Sequence, residues 1–192
     1  MKKILKFLMV VMFLVGCAKN KDITKPIEKL NIELSTQIST YDIDMSAYNN
    51  MTAYNHQFLG LSPDEFLKVE DVKATGIFMF GFNRCHACQK AVSNLNEVAK
   101  TYDLKVYYID CYSKVYPFQP KYEQIIEKIG KILSLGEDKK PALFTPEVIA
   151  IKNGEIVDHH SGIPQADGEL NDQQIQELKD HYQKLFESLR TK

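Results

Sequence analysis

The run Ile77-Phe78-Met79-Phe80-Gly81-Phe82 is apolar at odd and even positions alike. A strand of that kind must be covered on both faces, so it reads as the central strand of a sheet with helices above and below it. Two residues later comes Cys85-His86-Ala87-Cys88, and a helical pattern opens with Gln89-Lys90-Ala91-Val92. Cys88, Val92, Leu95, Ala99 and Tyr102 then fall on one helical stripe. The C-x-x-C therefore stands at the joint between a buried strand and a helix N-terminus. Such a helix end presents unpaired N–H groups and partial positive charge, which favour a thiolate on the first cysteine. A thiolate is the nucleophile of thiol–disulfide exchange, and a cysteine one turn further on can close an intramolecular disulfide. Cys85 is the expected nucleophile and Cys88 the resolving thiol.

Other uses of a C-x-x-C fit less well. A structural zinc site needs a second pair of ligands, and the remaining Cys and His residues do not supply one at ligand spacing. Covalent haem attachment needs a histidine directly after the second cysteine, where this chain has Gln89. Neither a metal nor a small-molecule cofactor is expected. Cys111 reads as a small buried hydrophobe, and His159 and His160 as surface residues. Arg84 either favours the thiolate on Cys85 or is simply solvated.

The flanking segments alternate between strand and helix. Gln57–Leu61 is a short strand, and Ser62-Pro63-Asp64-Glu65 carries an N-cap, a first-position proline and first-turn acids. Leu104–Ile109 is the next strand, parallel to the central one because a helix joins them. Tyr122, Ile125, Ile126, Ile129 and Leu133 predict a helix ending near Gly136. Residues 147–152 and 155–160 form a hairpin across Asn153-Gly154. Asn171 with Gln174 is a capping box, opening a final amphipathic helix through Leu178, Tyr182, Leu185, Phe186 and Leu189. The class is α/β.

The block Phe80–Cys88 resembles the active-site segment of thioredoxins. Thr145–Ile156 is similar to the segment of that family that starts at its cis-proline and runs through a strand into an Asn-Gly turn. Gly162 falls where the family places a glycine beside the site. The resemblance spans roughly Phe58 to Leu189. It implies a thioredoxin-like three-layer sandwich with a mixed central sheet and helices on both faces, here with an N-terminal extension and an inserted helix between Cys85 and Pro146. It also implies a thiol–disulfide oxidoreductase in which His86, Ala87, Thr145, Pro146 and Gly162 frame a groove for the substrate chain. Pro141 competes for the cis-proline role but lacks the downstream spacing; a trans-proline opening an edge strand is the plainer alternative for Pro146. His86 either stabilises the thiolate and makes the disulfide more oxidising or points to solvent. Relatives that oxidise or isomerise more often carry histidine next to the second cysteine, where Ala87 stands. Two departures stand out. Met79 occupies the position where many thioredoxins bury an acid that helps move the resolving cysteine's proton, and the chain has no tryptophan.

Lys2, Lys3 and Lys6 precede the apolar segment Phe7–Val15, the pattern of an export signal too short to span a membrane. It ends in Leu14-Val15-Gly16-Cys17, which resembles the lipobox of bacterial lipoproteins and implies cleavage before Cys17 and lipidation of its thiol. The expected organisation is 1–16 signal peptide, 17–56 lipid-anchored tether and extension, and 57–192 thioredoxin-like domain. Ile27, Leu30, Leu34 and Ile38 have spacings that permit a short helix, and Tyr41, Ile43, Met45, Tyr48 and Tyr54 are apolar enough to pack on the domain. The chain carries 24 Lys and Arg against 25 Asp and Glu, and nothing points to nucleic acid. The partners expected are exported proteins bearing thiols or disulfides, a membrane redox partner, and the membrane itself through the lipid, on its extracytoplasmic side. The rival class is a non-catalytic thioredoxin-fold lipoprotein acting as an accessory or binding module for export or assembly. In outline the chain is similar to accessory proteins of bacteriocin export.

Overall fold

The structure is a computed structural model that describes residues 29–30, 32, 37–165 and 168–190. Six strands form one sheet: β1 (Thr40–Tyr41), β2 (Phe58–Leu61), β3 (Gly76–Gly81), β4 (Val106–Asp110), β5 (Glu147–Lys152) and β6 (Glu155–Ser161), in the order β1-β2-β4-β3-β5-β6. β2, β4 and β3 are mutually parallel; β1, β5 and β6 run antiparallel to their neighbours. Among the described residues four α-helices accompany them: α1 (Pro63–Leu67), α2 (His86–Tyr102), α3 (Tyr122–Ile129) and α4 (Asp172–Ser188).

Every residue of β3 is buried, as its two-sided apolar pattern requires. Ile77 and Met79 join Val106, Tyr108, Val148 and Ala150 in the core that α2 and α4 cover. Phe78 and Phe80 join Tyr107, Ile109, Ile149 and Ile151 in the core on the other face, with Phe66 of α1 and Ile125 of α3. Three layers result. Local chemistry starts and stops the elements as expected. The Ser62 hydroxyl accepts the Glu65 N–H at 3.2 Å. Asn171 and Gln174 exchange both capping bonds at 2.9 Å. Asn153 and Gly154 take φ of 52° and 83°, the two positive values that a two-residue hairpin turn needs.

α3 ends at Ile129, earlier than the predicted end near Gly136, and continues only as a turn of 3-10 helix through Ile132. A local reversal stops it: Leu135 pairs with Pro141, and the Gly136 N–H donates to the Lys140 carbonyl at 2.8 Å. The extra length between Cys85 and Pro146 lies in the irregular segments around α3. The N-terminal segment packs on the domain. β1 adds an edge to the sheet, and Met45 and Tyr48 are buried. Leu30 and Ile38 enter opposite cores, and most of the segment 27–36 lies outside the described residues. Ile27, Leu34, the export-signal pattern and Cys17 lie outside the described residues. Among the described residues no helix is long and apolar enough to cross a membrane.

His159 and His160 are half-buried rather than at the surface. His160 stacks on His181 of α4 with ring centroids 4.5 Å apart, against the edge of Tyr182. Burial first, then the charges of His181 and His159, with Asp158 opposing, bring its pKa from 6.5 down to about 4. The unfolded chain takes up this proton at a higher pH than the folded chain, so folding stability falls as pH drops from 6.5 towards 4. His160→Phe is expected to narrow the difference in Tm between pH 7 and pH 4.5, read by thermal melts of both proteins. An unchanged difference contradicts the assignment.

Candidate functional site

β3 delivers the chain to the site. After Gly81 it turns through Phe82–Arg84, and the Cys85 N–H donates to the Phe82 carbonyl at 3.1 Å. Cys85 is the N-cap of α2, with extended backbone, and its Sγ accepts the Cys88 N–H at 3.1 Å. The sulfur thus takes the place of a capping oxygen. Cys88, one turn into the helix, is completely buried. Burial, then the hydrogen bond to Cys85, push its thiol up to about 12. The outer sulfur is accessible and the inner one is not, and both are free thiols in this structure.

The segment before β5 closes the site from the other side. The Thr145–Pro146 peptide is cis. The Cys85 thiol donates to the Thr145 carbonyl at 3.5 Å, and the Thr145 hydroxyl approaches the same sulfur at 3.6 Å. Gly162 donates its N–H to the Pro146 carbonyl at 2.7 Å. Its φ of +73° explains the residue type, because an added Cβ would meet nothing within 4 Å. Cys85, Cys88, Thr145, Pro146 and Gly162 are therefore brought together, whereas Pro141 sits in the Leu135 bridge. His86 is exposed and Ala87 partly so. Arg84 lies over the Tyr112 ring, 5.7 Å from its centroid.

A cavity of about 440 Å³ opens beside the site, lined by Phe82, Cys111, Tyr112, Phe118, Leu143 and Thr145 among others. Cys111 is partly buried there, and burial raises its thiol well above the ordinary range. Thr145 belongs to both the cavity and the cysteine site. Among the described residues, no group of three or more His, Cys, Asp or Glu is placed to hold a metal ion.

Several polar groups here carried no signal in the sequence. Tyr48 and Tyr108 share a buried hydroxyl–hydroxyl hydrogen bond. The buried Tyr182 hydroxyl has no hydrogen-bond partner among the described residues. Asp110 ends β4 with its carboxyl raised by burial. Glu147, directly after Pro146, is buried; its carboxylate accepts from Ser161 and from His159 Nδ1 at 3.0 Å, and burial raises its pKa.

No protein-family model matches the chain, and no curated protein does. Among solved structures, thioredoxin O2 from Arabidopsis thaliana in the oxidised state matches 68% of this chain and 96% of its own, at 18% identity and a TM-score of 0.45. Thioredoxin from Trypanosoma brucei brucei matches 72% and 98%, at 13% identity and a TM-score of 0.41. Thioredoxin from Aeropyrum pernix matches 69% and 86%, at 16% identity and a TM-score of 0.38. The topology itself is the firmer ground: a mixed sheet whose central strand runs into a C-x-x-C helix, helices on both faces, and a closing hairpin and helix give this chain a thioredoxin-like fold.

Proposed function

We propose that the protein is a thiol–disulfide oxidoreductase, held by a lipid on Cys17 at the extracytoplasmic face of the membrane and acting on cysteines of exported proteins. The observation that carries this is the unequal thiol pair: Cys85 accessible at the helix cap, Cys88 buried one turn on. In the reducing direction the Cys85 thiolate attacks a client disulfide. One Cys85–client S–S bond forms, and the other client sulfur leaves as thiolate. Cys88 then loses its proton and attacks Cys85, which releases the second client sulfur and leaves the Cys85–Cys88 disulfide. Oxidation of a client is the same sequence reversed. The Cys88 N–H and the helix end stabilise negative charge on Cys85. The Thr145 carbonyl, 3.5 Å from Cys85 Sγ, offers an acceptor to a client main chain lying across the sulfur.

The reduction potential of the Cys85–Cys88 pair tests this, measured by glutathione or dithiothreitol equilibration of the Cys17→Ser, Cys111→Ser chain. A value near roughly −270 mV makes the protein a reductase that needs electrons from a membrane partner. A value near roughly −120 mV makes it an oxidase that installs disulfides. Failure of the two sulfurs to bond overturns the enzyme and leaves a thioredoxin-fold binding module.

A further inference from the structure

Cys88 must give up a proton as it attacks a mixed disulfide on Cys85, yet it is sealed from solvent. On the sheet face it packs against, β3 presents Met79, which takes no proton. The neighbouring strand presents more. Tyr108 pairs with Met79 and Asp110 with Gly81, and residues paired across parallel strands project to the same face. Gly81 leaves the space between them open: a Cβ there would lie 3.4 Å from the Tyr108 ring and 3.5 Å from Cys88 Sγ. The Tyr108 ring and the buried sulfur thus border the same small space above Gly81. The Tyr108 hydroxyl is bonded to that of Tyr48.

Tyr48 joins this core from outside the regular elements. It comes from the N-terminal segment after β1 and is held by two devices. Its own N–H donates to the carbonyl of fully buried Met45 at 3.0 Å. Gln89, the residue directly after Cys88, donates from Nε2 to the Ala47 carbonyl at 3.0 Å and accepts the Asn49 N–H at 2.8 Å. The helix turn that carries Cys88 therefore clamps both chain neighbours of Tyr48.

We propose that the Tyr48–Tyr108 hydroxyl pair carries the proton away from Cys88 during resolution, towards Asp110. This rests on the thiol–disulfide function proposed above. The Cys88 S–H bond breaks as the Cys85–Cys88 bond forms, and the Cys85–client bond breaks with its electron pair on the client sulfur. Each hydroxyl accepts one proton and passes on its own, with water bridging the pair to Cys88 Sγ at one end and to the Asp110 carboxylate, which receives the last proton, at the other. The titratable groups whose charges act on or with Cys88 are Cys85 from α2, Tyr48 from the N-terminal segment, Cys111 after β4 and Tyr182 from α4. The field of Asp110 reaches both Tyr48 and Tyr108. Burial raises its pKa, against the Tyr112 N–H that its carboxylate accepts at 2.9 Å. Tyr182 offers no onward path, because its hydroxyl lacks a partner among the described residues.

Ellman's reagent separates the two chemical steps on the full chain carrying Cys17→Ser and Cys111→Ser. The first thionitrobenzoate released reports attack by Cys85; the second reports closure by Cys88. Tyr48→Phe is expected to leave the first release unchanged and to slow the second on the order of a hundredfold near neutral pH. The gap should narrow as pH rises and hydroxide, reaching Cys88 through transient opening of the site, competes with the relay. Tyr108→Phe should do the same, and the double variant should be no slower than either single one, because the two hydroxyls form one path. A wild-type second release in both single variants overturns the relay. So does a slowing of both releases that is the same at every pH, since that reports altered packing. If the parent chain gives no second release, the thiol–disulfide function itself fails, a result distinct from loss of the relay alone.

Discussion

Cys85→Ser is expected to reduce thiol–disulfide exchange to the uncatalysed background while leaving the fold intact. Cys88→Ser should instead accumulate mixed disulfides with clients. The contrast follows from where the two sulfurs sit. Cys85 Sγ is the accessible one, and it is also the cap of α2, accepting the Cys88 N–H. Serine keeps that bond through its oxygen, whereas alanine would cost about 1 kcal/mol of cap in addition to the nucleophile. Cys85→Ser therefore isolates the chemistry. Cys88 takes no part in the first attack but is the sulfur that ends it, so its loss leaves a covalent Cys85–client adduct with nothing to release it. Non-reducing gels of membranes from cells expressing Cys88→Ser should show client-sized adducts that dithiothreitol removes. The Cys85→Ser, Cys88→Ser chain should show none. Equal adducts in both would place the reactive thiol elsewhere, with Cys111 the remaining candidate among the described cysteines.

The parts of this site that were legible in the sequence depend on neighbours along the chain. An apolar run on both parities, two cysteines three residues apart, a capping box and an Asn-Gly turn each carry their structural instruction within a few residues. β3, the start of α2, α4 and the β5–β6 turn all follow it. Thr145 and Gly162 came from a resemblance whose spacing the chain preserves. α3 ends earlier than its period suggests because Leu133 continues the helical spacing although the chain reverses directly after it, where Leu135 pairs with Pro141. The place of Tyr48 beside Tyr108 was not legible because it rests on contacts far apart along the chain. The segment around it has no period, and its position depends on Met45, Gln89 and Tyr108. Asp110 became informative only through strand register, which sets it opposite Gly81. A lone acid at a strand end says nothing of which face of the sheet it lies on.

Phe80→Ala is expected to destabilise the protein by about 3–5 kcal/mol, a large share of the roughly 5–15 kcal/mol that a domain has to lose. Phe80 is completely buried. Its ring meets Phe66 of α1 edge-on at 4.8 Å and Phe118, before α3, at 6.0 Å. Phe66 in turn meets Phe78 at 5.7 Å, and Phe78 stacks on Tyr107 at 4.7 Å. One truncation thus opens a cavity at the centre of the aromatic cluster that joins α1 to the sheet, and close-packed rings relax little into such a space. At this chain length the loss should lower Tm by roughly 10 °C. Alternation along β3 separates this effect from the chemistry: Met79 faces Cys88, while Phe80 faces the opposite core. Below its melting range, Phe80→Ala should still release both equivalents of thionitrobenzoate at rates within about threefold of the parent, far inside the scale of a lost proton-transfer step. A Tm shift of under about 2 °C would mean that the cluster repacks around the gap. A loss of the second release with the fold intact would mean that the two faces of β3 are coupled after all.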